Sequence, residues 1–225
     1  MNPNPVNHAP GVRRGDAHHH MNVKEHWNRI YQTKGSQDVS WYQRCPDVAL
    51  ELIAASIGSE DAGIIDVGGG ASTLVDFLLD AGYTRLAVLD LSGVALSHSR
   101  SRLGAGADRV EWLEADVASF EPPHRFGLWH DRAVFHFLTA TEDRRGYVAT
   151  LRRTLQPGGA VIISTFALDG PQKCSGLDVV RYDEQSILAE LGPEFRLRQV
   201  RRETHVTPSQ SEQRFIYFRF QWRGT

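Results

Sequence analysis

Cysteine is scarce: the 225 residues hold only Cys45 and Cys174, far apart and at no metal-ligand spacing. That excludes a disulfide framework or a cysteine-built metal site, and the expected compartment is a reducing cytoplasm. Long apolar runs are missing too, so neither a membrane span nor a secretory leader is expected. Charge of one sign is also lacking. Lys and Arg number 25 against 27 Asp and Glu, a formal net charge of −2 with a pI near 6.5. Such a chain offers no field for nucleic acid or an anionic membrane. The arginine pairs Arg144–Arg145, Arg152–Arg153 and Arg201–Arg202 fall at helix and strand spacings and read as solvated faces. There is no internal repeat.

What is present suffices for one core. At 41% apolar residues the length fits a single α/β domain plus a tail. Residues 1–21 are rich in Pro, Asn and Gly with no apolar period, so they are expected to be disordered. Residues 22–225 make the domain, with 22–60 as N-terminal helices and lid and 61–225 as core. His18 to His20 lie in the tail; their composition reads as a solvated tract, and no metal is assigned.

The pattern from residue 23 onward alternates helices and strands. Val23, Trp27, Ile30 and Tyr31 form a helical stripe, and Pro46 opens a second helix carrying Val48, Ala49, Leu52, Ile53 and Ile57. Then come the strand IIDV, a helix from Thr73 to Ala81 closed by Gly82, the strand LAVLD, and a helix capped by Ser92 and ended at Gly104. This is βαβ repetition and predicts a parallel sheet. RVEWLEAD, FGLWHDR and AVIISTFAL continue the strands, with a helix from about Thr141 to Leu155 and a last one capped by Asp183 through Leu191. Two strands finish the chain. FRLRQVRRE has the alternating arginines of an edge, and RFIYFRFQW puts Ile216, Phe218, Phe220 and Trp222 on one face.

Gly68, Gly69 and Gly70 follow the first strand, where ligands of open α/β sheets bind. Bare backbone there permits a tight turn and close approach, but a lone glycine turn identifies nothing. Asp90, ending the second strand twenty residues past Gly70, is spaced to accept both hydroxyls of a ribose. Asp116, ending the third strand, suits an adenine amino group while the Val117 amide serves a ring nitrogen. Asp66 discriminates between ligands: a carboxylate ahead of the glycines repels a pyrophosphate but suits an ammonium. Adenine, ribose and an amino-acid ammonium together describe S-adenosylmethionine. A nicotinamide dehydrogenase stays formally open, since Gly68, Gly70 and Asp90 partly satisfy its fingerprint.

The set Asp66-Val-Gly68-Gly-Gly70-Ala-Ser72, Leu89-Asp90-Leu91-Ser92, Ala115-Asp116-Val117 and Leu155-Gln-Pro157-Gly158-Gly159 resembles the ordered motifs of class I S-adenosylmethionine-dependent methyltransferases, from about Trp27 to the C-terminus. The resemblance implies a Rossmann-like, seven-stranded, mostly parallel sheet with an antiparallel last strand and helices on both faces. It implies Gly68, Gly69, Gly70, Ser72, Asp90, Leu91, Asp116 and Val117 as cofactor-binding, with Asp66 at the methionine ammonium. Ser72 stands where many members have glycine, and Gly127 replaces a common aspartate.

The acceptor side is less determined. A sulfonium activates its own methyl group, so the protein positions a nucleophile, excludes water and removes a proton where needed. His130 and Asp131 are expected to line the methionine end, and His136 is a candidate general base near the acceptor. Trp27, Tyr31, Trp41 and Tyr42 form a candidate lid that resembles the family's opening segment folded over the cofactor, with Trp27, Tyr31 and Trp41 as cofactor-binding and Tyr42 on the acceptor's side. Leu168 to Tyr182 forms a second one, in which Cys174 is a candidate pocket residue. The segment Trp129 to Leu191 looks like the thiopurine and thiol methyltransferases, while VSWYQ and GYTRLAVLDLS look like the group with translation-factor lysine methyltransferases. The aromatic lid and long loop favour a closed chamber and a small-molecule acceptor, with a monomer or weak homodimer expected. The alternatives are a protein lysine N-methyltransferase and a non-catalytic cofactor-binding partner.

Overall fold

The computed structural model describes residues 14–224. Its strands are β1 (Ile64–Val67), β2 (Leu86–Asp90), β3 (Val110–Glu114), β4 (Phe126–Arg132), β5 (Leu155–Phe166), β6 (Phe195–Val206) and β7 (Glu212–Trp222). They form one seven-stranded sheet in the order β3-β2-β1-β4-β5-β7-β6. Strands β1 to β5 pair in parallel, and β7 runs antiparallel to both β5 and β6. The sheet is the one the motifs imply.

Six helices flank it: α1 (Arg14–Thr33), α2 (Asp47–Ala54), α3 (Leu74–Asp80), α4 (Gly93–Leu103), α5 (Thr141–Thr154) and α6 (Glu184–Leu191). Their boundaries follow local chemistry. The Ser92 hydroxyl accepts from the Ala95 amide to start α4, and Asp183 and Ser186 form a reciprocal capping box at α6; each such cap contributes about 1 kcal/mol.

Three sequence expectations change. Helix α1 extends back to Arg14, so residues 14–21, expected to be disordered, are helical. No proline follows Pro10 before Pro46, and once a helix is nucleated each added residue propagates at little cost, apolar or not. Residues 1–13 of that tail lie outside the described residues, as do the side chains of His18 to His20. Second, β5 begins at Leu155 and takes in Gln156 to Gly159, which the pattern placed as a helix stop. Third, β7 buries both faces. Ile216, Phe218, Phe220 and Trp222 pack toward α5 and α6, while Phe215 and Tyr217 pack with Leu52 and Ile53 of α2 on the reverse side. At about 1.5–3 kcal/mol per fully buried large apolar side chain, this strand is a principal source of core stability.

Candidate active site

Two adjoining cavities open at the carboxyl ends of β1, β2 and β4, under a roof from α1 and the segment after it. The larger, about 150 Å³, has Gly68, Asp90 and Leu91 with Asp116 and Val117 on one side. Its other end holds Arg132, Phe137 and Cys174, and Trp27, Tyr31 and Trp41 cover it. The smaller, about 50 Å³, is lined by Asp66, Gly69, Ser72, His130 and Tyr42. Tyr31, Trp41, Gly68 and Arg132 line both. Among the described residues no group of side chains is arranged to hold a metal ion.

The glycine turn is shaped by contact. Gly68 has φ +71°, and a Cβ there would lie 2.1 Å from Val134 Cγ2; one on Gly69 would lie 2.2 Å from Asp66 Oδ2. Only bare backbone fits. Gly70, expected to touch the cofactor, faces neither cavity. Its amide donates to Asp90 Oδ2 at 3.0 Å, while the Ser92 amide donates to Oδ1 at 2.8 Å. Two backbone donors thereby fix the Asp90 carboxylate at the cavity wall. Burial nevertheless pushes its pKa up to about 6.

Asp66 and His130 are register partners on β1 and β4. Asp66 Oδ1 and His130 Nδ1 lie 2.7 Å apart, both side chains are buried, and Asp66 Oδ2 and His130 Nε2 have no hydrogen-bond partner among the described residues. Two orphaned polar atoms on one cavity's wall are costly unless a ligand satisfies them. That fits an ammonium and carboxylate at this end.

Period-two alternation separates the rest of β4. His130 and Arg132 face the cavities; Trp129 and Asp131 face the other layer. Asp131, expected to line the site, is therefore a structural anchor. Its carboxylate accepts from the Val134 and Phe135 amides and from the Tyr147 hydroxyl at 2.6 Å, and Tyr147 in turn accepts from Trp129 Nε1. His136, expected as a base, lines neither cavity. It is packed against Phe166 and Phe137, accepts a hydrogen bond from the Phe166 amide at 3.4 Å, and burial followed by the Arg132 charge lowers its pKa to about 3. It stays neutral and out of reach.

The roof is tied down. Trp27 meets Trp41 and Phe137 edge-on, at 5.7 and 5.0 Å between ring centroids, and the Ser92 hydroxyl donates to Asn28 Oδ1 at 2.7 Å. The Leu168 to Tyr182 loop is folded back as well. A short hairpin pairs Lys173–Cys174 with Leu177–Asp178, and Arg181 donates to the Leu168 and Gly170 carbonyls. Cys174 does face the cavity, with its thiol pKa pushed by burial to about 11, so it is a thiol rather than a thiolate. Arg132 and Phe137 line the larger cavity without being among the site residues the sequence points to. For Arg132, strand alternation carries the signal, since a residue two beyond His130 shares its face.

Residues 64–159 match the family described as "Methyltransferase domain". The chain carries a methyltransferase domain. Motifs and fold are of the kind that S-adenosylmethionine-dependent methyltransferases of class I share, and the matched family favours that cofactor over a nicotinamide. The mouse protein named "eEF1A lysine and N-terminal methyltransferase" is 23% identical over 150 residues, 64% of this chain but 21% of that protein. The methyltransferase thus spans about a fifth of that relative's length. Two solved structures share the fold. An Anabaena variabilis SAM-dependent methyltransferase superposes with TM-score 0.72 at 16% identity, covering 90% of this chain and 96% of that one. The Burkholderia thailandensis 1,6-didemethyltoxoflavin-N1-methyltransferase, solved with that compound and S-adenosylhomocysteine, gives 0.66 at 17% identity, covering 97% and 93%.

Proposed function

We propose that this methyltransferase moves a methyl group from S-adenosylmethionine to a small-molecule acceptor in the larger cavity. Bound S-adenosylmethionine supplies a methyl group that is already electrophilic. In this reading Asp90 and Leu91 hold the ribose, Asp116 and Val117 the adenine, and Asp66 with His130 the methionine ammonium and carboxylate. The remaining work is orientation and exclusion of water. Gly68 lets the backbone approach the junction of the cavities, and Trp27, Tyr31 and Trp41 close it from above. An acceptor proton leaves to solvent or to a base on the acceptor itself, since His136 is walled off.

The aromatic roof carries the proposal: Trp27, Tyr31 and Trp41 line the cavity and α1 is tied to Ser92 through Asn28, which suits a small molecule better than a protein chain. The lysine methyltransferase reading draws on the likeness to the mouse protein and requires an open channel for a long side chain. A cytoplasmic monomer or weak homodimer accompanies the small-molecule reading; no described helix is long and apolar enough to cross a membrane. The test is incubation with methyl-labelled cofactor and a panel of thiols, phenols and amines beside a protein extract. Label in small products supports the proposal; label confined to protein lysine overturns it, and cofactor binding without any transfer leaves the non-catalytic partner.

A further inference from the structure

Arg132 ends β4 at the junction of the two cavities, and its guanidinium is held from several sides. Nε donates to the Tyr217 hydroxyl and Nη1 to the Trp41 carbonyl, each at 3.0 Å, and Cζ sits 4.3 Å over the Phe215 ring. These contacts come from β7 and the roof, and they fix the plane of the group. Nη2 is left over. It is buried without a hydrogen-bond partner among the described residues, and the side chain is only 10% exposed. The carboxylate it approaches, Glu203, stands 3.8 Å away and already accepts from Tyr217 at 2.9 Å and from Gln43 at 2.9 Å.

A guanidinium nitrogen carries two N–H donors. Leaving them unmade in a buried place is unfavourable, and a charged N–H donor held in a fixed plane suits one oxygen of a carboxylate. Arg132 is the one lysine or arginine among the residues lining the larger cavity, facing Glu203 at 3.8 Å and sharing the lining with Asp90, Asp116 and Asp143. Burial and then the Arg132 charge hold the His136 and His205 pKa values down, and burial keeps Cys174 a neutral thiol. Asp90 ends β2 and Asp116 lies just past the end of β3, strands two and three places away from β4 across the sheet. Phe137, Trp41 and Cys174 line the same end as Arg132, a largely apolar surround for the body of an organic acid. A lysine ammonium brought here would meet a fixed positive charge.

Resting on the small-molecule reading above, we infer that the acceptor carries a carboxylate that docks on Nη2 of Arg132, which makes Arg132 the residue that sets substrate class. The methyl-accepting atom is then a separate group on the same molecule. Because Arg132 also borders the smaller cavity, the competing role for Nη2 is the carboxylate of the cofactor's methionine, and the test separates the two.

The full chain, saturated with S-adenosylhomocysteine, is titrated calorimetrically with matched aryl and alkyl acids and their primary amides, such as 2-mercaptobenzoate against 2-mercaptobenzamide. Wild type is expected to hold acids at least about tenfold tighter than amides, the gap a charge-assisted hydrogen bond gives. The gap should narrow in Arg132→Lys and close in Arg132→Met, with S-adenosylhomocysteine affinity kept within about twofold. Amides binding wild type as well as acids, or no acid of the panel binding at all, overturns the inference without either variant having to fold. A loss of about tenfold in S-adenosylhomocysteine affinity in Arg132→Met with the acid preference intact also overturns it, since the guanidinium then serves the cofactor. Failure of wild type to bind S-adenosylhomocysteine brings down the methyltransferase reading itself, a different result from any of these.

Discussion

Asp66 Oδ1 and His130 Nδ1 meet at 2.7 Å across β1 and β4, and each group turns a second, unpartnered polar atom toward the same buried space. The pair's geometry makes this the most exacting part of the candidate site, because an uncompensated buried carboxylate is expensive.

Replacing Asp66 by Asn removes the negative charge while keeping the shape. Affinity for S-adenosylhomocysteine is expected to fall at least about tenfold, since a hydrogen bond to a charged group contributes about 1.5–3 kcal/mol. Calorimetry at neutral pH checks this. An unchanged dissociation constant would remove the ammonium assignment.

Gly69→Ala places a methyl group 2.2 Å from Asp66 Oδ2. Overpacking of this kind costs about 1–3 kcal/mol, to be read from urea unfolding. Cofactor affinity should fall along with stability, because the group displaced is the carboxylate itself.

His136 gives the pH prediction. Its folded pKa, lowered to about 3 by burial and then by Arg132, lies below the ordinary value of 6.5, so the unfolded chain binds the proton more readily. Its contribution to stability is full above pH 6.5 and declines as pH falls toward 3, by up to about 1.4 kcal/mol per pH unit. His136→Phe, packed by the same Phe137 and Phe166 rings, loses that decline. The unfolding free energy of the variant relative to wild type should therefore rise steadily as pH is lowered from 6.5 to 4.5. A difference independent of pH would mean that His136 is not buried neutral.

Trp27→Ala removes one of the rings of the roof without touching the Asp66 and His130 pair. Stability should drop by about 2–4 kcal/mol for a large, partly buried aromatic. The KM values of acceptor and cofactor should both rise several-fold, because Trp27 covers the cavity that in the proposed reading takes the nucleoside as well as the acceptor. Unchanged values for both would remove Trp27 from the roof of the site.

Much of this was legible in the chain because it is written in short-range chemistry. Ser92 and Asp183 announce α4 and α6 by what their side chains do within three residues, and the spacing from Gly70 to Asp90 reflects a hydrogen bond between them. The seven-stranded, mostly parallel sheet with its antiparallel β7 followed from the motifs. What stayed hidden depends on distant partners. Arg132 is fixed by Trp41, Tyr217 and Glu203, 91, 85 and 71 positions away, and Asp131 looked like a site residue until its partner Tyr147 placed it in the opposite layer. The histidine at 136 was chosen for chemistry its burial forbids. Residue type suggests what a side chain is able to do; only its neighbours decide whether water, ligand or core receives it.

The hydroxyl of Ser92 accepts from the first turn of α4 and hands its own proton to Asn28 of α1, one residue past the Asp90 and Leu91 pair that borders the larger cavity. One atom therefore stitches ceiling to shelf. In the proposed reading a nucleoside lies between the two, and the Ser92–Asn28 seam joins the Trp27 ring contacts and the Lys24–Glu114 ion pair in deciding how long the spent product stays.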